Sequence, residues 1–443
     1  MLRNRCNAGA RMIWLFALVA FSFDSTSVTA DDRPAGASGA GEEWPKWRGP
    51  RGDGTWHGPK LAEKFPEGGL KRVWRIDIGG GYAGVTVADG RAYLFDHKKP
   101  IKEGAEKSDE VERLLCLSAD DGSQIWKHEY PATYGNLDYG NGPRAAPTVI
   151  GESVYILGAV GDLRCLNVKS GELVWSKKLT TDFDGRVPNW GYAASPFLYD
   201  DLLIVMPGGA QGTSVVALRP ETGEMVWKSL SDEAGYATPI VYEHDGKPQM
   251  ICWTPSHIRA VDPRDGNVCW SVPYEIQYGV SIATPIFQEG LVVVCAYWAG
   301  SKAITPVAAG GEAPLAWEEN RYLRGLMSQP LYRDGLVYLL DKTYGLTCFE
   351  LKTGKKLWDD DNKMTRRDRN PQASFVWLGD TDRTLILNAD GELILARFTR
   401  EGYREQSRAK IIGETWAHPA YAKNRVFARS DTELVCFELP VAE

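Results

Sequence analysis

The chain repeats one motif, a strand and a tight turn followed by a second strand that ends on a tryptophan. The best-formed copy runs from Ala260 to Trp270. In five clear copies the tryptophan lies four residues after the glycine of the turn; these glycines are Gly122, Gly171, Gly223, Gly266 and Gly354. Short strands that recur about every 40 to 50 residues are typical of a propeller or a solenoid. This repeat limits the fold more than any other feature of the sequence.

Each full unit opens with a strand of small residues that contains a proline, as in Ala237-Thr238-Pro239 and Ala283-Thr284-Pro285. Small residues suit the crowded central channel of a propeller, and proline is tolerated at the start of a strand. A β-branched strand follows, for example Leu291–Val294, and then come the strand before the turn and the tryptophan strand. Four antiparallel strands per unit predict an all-β propeller with four-stranded blades.

Two units depart from the motif. Residues 306–311 replace the turn before Trp317, and residues 371–412 keep four strand-like runs but lack the tryptophan. The last stretch, 417–439, supplies three strands, and the early strand 73–76 can serve as its fourth. Such pairing removes an exposed sheet edge. The sequence predicts an eight-bladed ring closed by its N-terminal strand in the last blade. Seven blades is the alternative, because the 371–412 unit is the weakest.

The repeated tryptophans are interpreted as structural. Each is expected to pack between two blades and to donate its indole N–H to the backbone of a neighbour. The alternative is an aromatic stack for a ligand, but regular aromatic spacing usually marks a core. The set comprises Trp74, Trp126, Trp175, Trp227, Trp270, Trp317 and Trp358.

The first 30 residues have the pattern of a signal peptide, with three early arginines, an apolar run over Met12–Phe23 and a small-residue site ending at Ala30. An uncleaved N-terminal anchor is the alternative. Residues 31–43 are predicted to be a disordered linker and residues 44–443 a single propeller domain. Cleavage after Ala30 would change the formal charge from −7 to −9. An acidic, exported protein is expected in the periplasm or outside the cell, and nucleic acid is excluded as its main partner.

The cysteines are expected to be free for the most part. Cys116, Cys165, Cys348 and Cys436 occupy the same repeat position in different units, too far apart for disulfides. They are read as small buried apolar side chains. Cys252, Cys269 and Cys295 remain candidates for pairing. Without a Cys-x-x-Cys motif or a histidine cluster, a zinc site is not predicted.

The Ala-x-Asp-x-x-x-Gly-x-x-x-Trp pattern resembles the repeat of quinoprotein dehydrogenases and of the outer-membrane assembly lipoprotein family called BamB. The segment from Trp44 to Gly54 is also similar to the opening of secreted bacterial proteins with pyrroloquinoline-quinone-like repeats. The resemblance covers about residues 44–439. It implies the propeller fold, but both enzymes and non-catalytic scaffolds share that fold, so the function must be argued from a site.

The resemblance to quinoprotein alcohol dehydrogenases implies an adjacent cysteine pair, a Ca²⁺ site of Glu, Asn and Asp, and a tryptophan under the quinone. The sequence contains no adjacent cysteines and no carboxylate cluster that can be assigned to calcium. Pyrroloquinoline quinone with Ca²⁺ is therefore kept only as the alternative, and no cofactor is predicted. Asp359-Asp360-Asp361 is interpreted as a solvated loop, with calcium as its alternative. Gly79-Gly80-Gly81 is interpreted as a turn, because no phosphate-loop lysine follows it.

The loops that lead into the inner strands are rich in aromatic and basic residues, although the protein is acidic. They predict a positive, aromatic funnel at one end of the channel that binds an anionic or peptide ligand. The predicted ligand or partner residues are Arg144, Arg186, Asn189, Trp190, Tyr322, Arg324, Arg366, Arg367, Trp416 and His418, with Tyr134, Tyr139, Asn141, Tyr236, Tyr278 and Arg369 in the same loops. The alternative is that these side chains only bridge blades and pair with neighbouring carboxylates.

The sequence therefore favours a monomeric, non-catalytic binding scaffold for a protein or peptide partner in the cell envelope, without a membrane span in the mature chain. A quinone-dependent dehydrogenase, or a relative that only binds quinone, is the alternative function. A carbohydrate or polymer sensor is the third.

Overall fold

A computed structural model describes residues 41–99, 110–135 and 137–442. The predicted signal peptide lies outside these residues. Of the predicted linker 31–43, residues 41–43 are described, and contacts with the propeller already begin there. The carboxylate of Glu42 accepts hydrogen bonds from Arg51, and that of Glu43 accepts hydrogen bonds from the backbone of Asp89 and Gly90.

The described residues form eight β-sheets arranged as blades. Two strands precede the first blade, β1 (Thr55–Trp56) and β2 (Arg72–Asp77). Blade one contains β3 (Thr86–Ala88), β4 (Arg91–Lys98), β5 (Val111–Ser118) and β6 (Gln124–Pro131), and blade two contains β7 (Thr148–Ile150), β8 (Ser153–Leu157), β9 (Asp162–Asn167) and β10 (Leu173–Lys178). Blade three contains β11 (Phe197–Tyr199), β12 (Leu202–Val205), β13 (Val215–Leu218) and β14 (Met225–Ser229). Blade four contains β15 (Ile240–His244), β16 (Lys247–Trp253), β17 (His257–Val261) and β18 (Val268–Pro273).

Blade five contains β19 (Ile286–Gln288), β20 (Leu291–Ala296), β21 (Gly300–Ile304) and β22 (Leu315–Glu319), and blade six contains β23 (Leu331–Arg333), β24 (Leu336–Asp341), β25 (Gly345–Glu350) and β26 (Lys356–Asp359). Blade seven contains β27 (Ala373–Leu378), β28 (Arg383–Asn388), β29 (Glu392–Phe398) and β30 (Tyr403–Lys410). Blade eight contains β31 (Ala420–Ala422), β32 (Arg425–Arg429) and β33 (Glu433–Glu438). A short helix α1 (Leu179–Asp182) follows β10, and a 3-10 turn covers Gln277–Gly279. The inner strands are short, which fits the crowding around the central axis.

The ring is closed by the N-terminal strand. β2 pairs antiparallel with β33, with Trp74 opposite Cys436 and Asp77 opposite Glu433, and completes the eighth blade as its outermost strand. Residues 371–412 form a complete seventh blade, to which β1 adds a parallel fifth strand. The predicted eight-bladed, N-terminally closed ring is confirmed, and the seven-bladed alternative is wrong.

The repeated tryptophans join neighbouring blades. Six donate their indole N–H to a backbone carbonyl at the start of the next blade's turn, at 2.8–3.1 Å: Trp74 to Ala119, Trp126 to Val168, Trp175 to Pro220, Trp227 to Pro263, Trp317 to Leu351 and Trp358 to Thr399. The turn glycine lies against the same ring; a Cβ at Gly171, whose φ is +73°, would meet the Trp126 ring at 2.4 Å. Only glycine fits at that position. The structural interpretation therefore holds for these six tryptophans.

Trp270 bonds differently because the turn it would meet is missing. Its indole N–H donates to Oε1 of Gln249 within the same blade at 2.8 Å, and Nε2 of Gln249 donates to the Val307 carbonyl of the next blade at 2.9 Å. The amide of Gln249 thus bridges the gap left where residues 306–311 replace the repeat turn. The sequence predicted the irregular turn but not this bridge.

The seven described cysteines are all free. Six of them are buried and Cys269 is half-buried, so the candidates Cys252, Cys269 and Cys295 do not pair. Burial raises the pKa of Cys252 and Cys295 to about 12. These thiols are inert apolar packing groups.

Candidate ligand-binding site

The central channel is lined by residues at the start of the inner strands. Their polar side chains bond to the backbone of the neighbouring inner strand: Ser195 Oγ accepts from Ala146 N, and Thr238 Oγ1 accepts from Ser195 N, both at 3.0 Å. Gln329 Oε1 likewise accepts from Thr284 N. These bonds tie successive blades together around the axis, which places a rigid ring of side chains beneath the predicted funnel.

The segment Trp44–Trp56, called the strap, crosses one end of this channel. Its contacts in chain order are Trp44 with Val87 of blade one, Pro45 O with Val149 N of blade two, Arg48 with Pro330 O of blade six, and Thr55 and Trp56 with β27 of blade seven. The guanidinium of Arg48 is buried and donates to the carbonyls of Asp53 and Pro330 at 2.8 and 3.0 Å. The strap is therefore fixed to both sides of the ring.

Trp47 places its indole in the channel. Its Nε1 donates to Thr284 Oγ1 at 3.0 Å, and its ring meets the edge of His418 at a centroid distance of 4.5 Å. On one side of Trp47 lies a cavity of about 560 Å³, and on the other a smaller one of about 210 Å³. Trp47, Thr238 and Thr284 line both. Trp47 thus forms the floor of the larger space, called the central cavity.

Aromatic rings form the wall of the central cavity, and include Tyr139, Trp190, Tyr236, Tyr278, Trp298 and Trp416. They meet in pairs: the ring centroids are 5.6 Å apart in the tilted pairs Tyr139–Trp416 and Trp190–Tyr236, and 6.2 Å apart in the edge-to-face pair Tyr278–Trp298. Each pair joins loops from different parts of the ring. A volume of this size is in the range of small-ligand pockets.

Two rim tyrosines have a strained backbone. Tyr139 and Tyr278 have φ values of 64° and 60°, in the left-handed region that bulky residues rarely adopt. Their side chains are 51% and 62% exposed. Exposed aromatic side chains gain little from burial, and strained backbone is concentrated at functional sites. The rim therefore holds two largely exposed rings on strained backbone.

The charged side chains of the cavity leave an excess of positive charge. Arg144 and Arg369 line it, and Asp138 is the single carboxylate that the described residues contribute. The Arg144 guanidinium donates to the carbonyls of Gly140 and Gly142 and lies 5.1 Å from the centre of the Tyr82 ring. No carboxylate of the described residues forms an ion pair with it. Burial lowers the pKa of Arg144, and burial together with the Arg48 charge lowers the pKa of His418 to about 3. His418 is thus neutral at physiological pH.

The structure brings four of the ten predicted ligand residues into the central cavity, namely Arg144, Trp190, Trp416 and His418. Tyr139, Tyr236, Tyr278 and Arg369 lie there too. Arg186, Asn189 and Arg367 are exposed in loops outside its lining. Asn141 is half-buried outside the lining, and Tyr134 is buried behind it. The binding roles of all these residues stay predictions.

The remaining predicted residues have protein partners. Arg324 donates to the buried Asp341 carboxylate at 3.3 Å, and Arg366 pairs with Asp390 and Glu414 at 3.1 and 2.9 Å. Tyr322 packs on Tyr344, with ring centroids 5.8 Å apart. The contacts of Arg324, Arg366 and Tyr322 agree with the alternative interpretation, in which such side chains only connect neighbouring parts of the ring.

Sequence reasoning missed several lining residues, chiefly Trp47, Tyr82, Tyr297, Trp298, Gln329 and Gln372. For one group of these lining residues, the sequence does contain a pattern that could have found them. In four inner strands the residue before the proline lines the cavity, namely Thr238, Thr284, Gln329 and His418. Trp47 carried no such signal because it lies outside the repeat.

The described residues contain no group of three or more His, Cys, Asp or Glu side chains placed to hold a metal ion. In the Asp359–Asp361 segment, the carboxylate of Asp360 is turned inward and accepts backbone N–H groups of Leu346, Asn362 and Met364 at 2.7–3.1 Å. These bonds close a loop. Asp360 is buried, so the interpretation of this segment as a solvated loop is wrong for that residue, and its carboxylate is not free to bind calcium.

A buried carboxylate lies behind the cavity wall. Glu112 is inaccessible to solvent, and it accepts hydrogen bonds from the hydroxyls of Tyr130 and Tyr134 and from Ala159 N, the last at 3.0 Å. Burial raises its pKa above the ordinary value of 4.5, although these hydrogen bonds oppose the change. The folded chain therefore keeps this proton to a higher pH than the unfolded chain does.

Replacing Glu112 with Gln is expected to change how stability depends on pH. Because the folded pKa is raised, the stabilisation from protonated Glu112 is complete below about pH 4.5 and is lost as pH rises through the folded pKa. The melting temperature of the native protein minus that of E112Q should fall between pH 4 and pH 8. The exposed Glu129→Gln variant controls for charge removal next to the same strand. A difference that stays constant with pH would contradict the prediction.

No helix among the described residues is long and apolar enough to cross a membrane. No curated protein matches the sequence at a significant level. The structure is similar to that of BamB from Moraxella catarrhalis, with 18% identity, a TM-score of 0.57, and coverage of 84% of this chain and 99% of that one. It is also similar to quinohemoprotein alcohol dehydrogenase from Comamonas testosteroni, with 12% identity, a TM-score of 0.62, and coverage of 90% and 81%.

Identities this low show a common fold alone. The sequence itself is more informative, because the family model for outer membrane protein assembly factor BamB matches residues 70–183, 110–360 and 256–442. These matches span nearly the whole ring and confirm the resemblance seen in the repeat. The chain belongs to the family of the outer membrane protein assembly factor BamB.

Proposed function

We propose that this protein is a non-catalytic binding propeller that receives a polypeptide segment in its central cavity. The observation that carries the proposal is the wall of aromatic rings above Trp47, with Tyr139 and Tyr278 held exposed on strained backbone. Tyrosine and tryptophan are the residues most enriched where proteins recognise other chains. The family match supports a partner protein in the cell envelope, and the predicted signal peptide agrees with a periplasmic or secreted location.

The alternative is a quinone-dependent dehydrogenase, which the similarity of fold alone supports. Its Ca²⁺ requires six to eight oxygen ligands, mostly from carboxylates and carbonyls. Among the described residues, the central cavity offers the single carboxylate of Asp138 and the amides of Gln329, Asn370 and Gln372. The amide oxygens of Gln329 and Gln372 already accept hydrogen bonds from Thr284 N and Ser328 Oγ. No cysteine lines the cavity. The donor set does not fit calcium-bound quinone, and this supports the binding function over the enzymatic one.

A peptide library tests the proposal directly. Purified protein is incubated with random dodecapeptides that have free termini, and retained peptides are identified by mass spectrometry. We expect a reproducible retained set that is lost in a Tyr139→Ala, Trp416→Ala double variant. Removing two interface aromatics typically weakens binding by more than about tenfold each. Retention that is unchanged in the double variant, or no retention at all, would overturn the proposal.

Two further measurements separate the alternatives. Arg186→Ala and Arg367→Ala alter exposed loops outside the cavity; if they abolish retention as well, the whole loop face binds rather than the cavity. Pyrroloquinoline quinone with Ca²⁺ is added in a parallel absorbance titration with a redox dye. Stoichiometric quinone binding with substrate-dependent dye reduction would favour the dehydrogenase.

A further inference from the structure

We infer that the central cavity receives the C-terminal end of a polypeptide whose last residue is aromatic, with Arg144 binding the terminal carboxylate. This inference rests on the proposed function and specifies its ligand. Three features of the cavity lead to it: the Trp47 floor, a guanidinium that has no ion-pair partner among the described residues, and facing aromatic rings.

The floor decides between a chain end and a chain that passes through. The Trp47 indole separates the central cavity from the space below it, and the bond to Thr284 and the ring contact with His418 hold it in place. The strap behind it is anchored on blades one, two, six and seven. A cavity with about 560 Å³ of space above this floor accommodates a chain end of a few residues.

The charge selects which chain end enters. The Arg144 guanidinium is bonded to the carbonyls of Asp138, Gly140 and Gly142, which fix its position without neutralising it. The buried carboxylate of Glu112 is bonded to Tyr130, Tyr134 and Ala159 N instead. Arg369 adds a second positive charge to the lining against Asp138 alone. A terminal carboxylate accepts a charge-assisted hydrogen bond from a guanidinium, whereas a terminal ammonium would be repelled.

The rings select the side chain. The two pairs formed by Tyr139 with Trp416 and by Trp190 with Tyr236 belong to the same lining as Arg144. An aromatic side chain can meet such rings edge to face, which adds to the gain from area burial. His418, in the same lining, is neutral, so it adds no further positive charge.

The inference is tested with N-terminally fluorescein-labelled peptides of sequence Gly-Ser-Gly-Gly-Phe, as the free acid and as the C-terminal amide, measured by fluorescence anisotropy. A hydrogen-bonded charge pair contributes enough to make the acid bind about 10 to 100 times more tightly than the amide. In Arg144→Met the acid should fall to the affinity of the amide, and Arg144→Lys should retain part of the preference. Thermal melts confirm that each variant is folded.

Arg404→Met is the matched control, and Arg369→Met is a second test variant. Arg404 is exposed on β30 of blade seven and lies outside the cavity lining, so R404M should keep the full preference. If R144M does not fold, Arg369→Met still tests the inference, because it should reduce the preference for the acid over the amide. Equal affinity of acid and amide for the native protein, or a preference that survives R144M, overturns the inference. If an amide peptide with an internal Glu beside Phe binds as well as the acid, a loop apex occupies the cavity; the proposed function then stands and the inference fails.

Discussion

Replacing Arg429 with Ala is expected to lower the free energy of unfolding by about 3–5 kcal/mol. Arg429 ends β32 of blade eight and is 0% exposed. Its guanidinium donates to the carbonyls of Phe95 in blade one, Gly79 and Ser430, at 2.9, 2.7 and 3.1 Å. The substitution leaves three carbonyls without a partner and opens a void at the joint between the last and first blades. Denaturant unfolding followed by circular dichroism measures the loss.

Two variants make this result interpretable. Arg429→Met keeps most of the side-chain volume and should lose less stability than Arg429→Ala, because only the hydrogen bonds are removed. Arg404→Ala removes an exposed arginine and should change stability by less than about 0.5 kcal/mol. Burial lowers the pKa of Arg429 to about 10, so it remains charged at pH 7, and the nearby Asp96 carboxylate favours that charge. If R429A were as stable as R404A, the guanidinium would not be what joins blades eight and one.

Replacing Trp56 with Ala is expected to cost about 3–5 kcal/mol and to release the strap. Trp56 is 0% exposed, its Nε1 donates to the Glu42 carbonyl at 2.8 Å, and its ring lies 5.3 Å from that of Tyr421 in blade eight. With this anchor gone, trypsin should cleave after Arg51 faster under native conditions, since local opening exposes the site. Denaturant unfolding and timed proteolysis measure the two effects.

Trp298→Ala is the matched control, because it removes an indole that is 41% exposed at the cavity rim. It should cost less than about 1 kcal/mol and leave cleavage after Arg51 unchanged. Native cleavage that is equally slow in W56A would mean that Arg48 and Trp47 alone hold the strap.

The propeller ring was predictable from the sequence because the residues that define each blade lie close together in the chain and recur in every copy of the motif. Turn glycines such as Gly171 and tryptophans such as Trp126 lie a fixed four residues apart in each copy, and their packing between blades follows from that spacing. The closing role of the strand at Trp74 followed from counting strands. The amide of Gln249 could not be found in this way, because its role exists only where the neighbouring turn departs from the repeat.

The candidate site was predicted only in part because it depends on contacts between distant residues. Trp47 donates to Thr284, a partner 237 residues away, and nothing near Trp47 in the sequence indicates a channel floor. Arg324 and Arg144 look alike in sequence, as basic residues in the same kind of loop. They differ only in their surroundings, since Arg324 meets the Asp341 carboxylate whereas Arg144 meets backbone carbonyls.

The pairing of β2 with β33 also governs the order of events during synthesis. Arg75 and Glu433, which form an ion pair across this seam, are separated by 358 residues. The early strand must therefore wait, with its backbone donors and acceptors unpaired, until nearly the entire chain has been made. Throughout that interval blade eight is absent and the first and seventh blades lack a neighbour. A truncated or stalled product would expose these surfaces, so holding the unfinished chain apart from other molecules matters more for this protein than for one built from local hairpins.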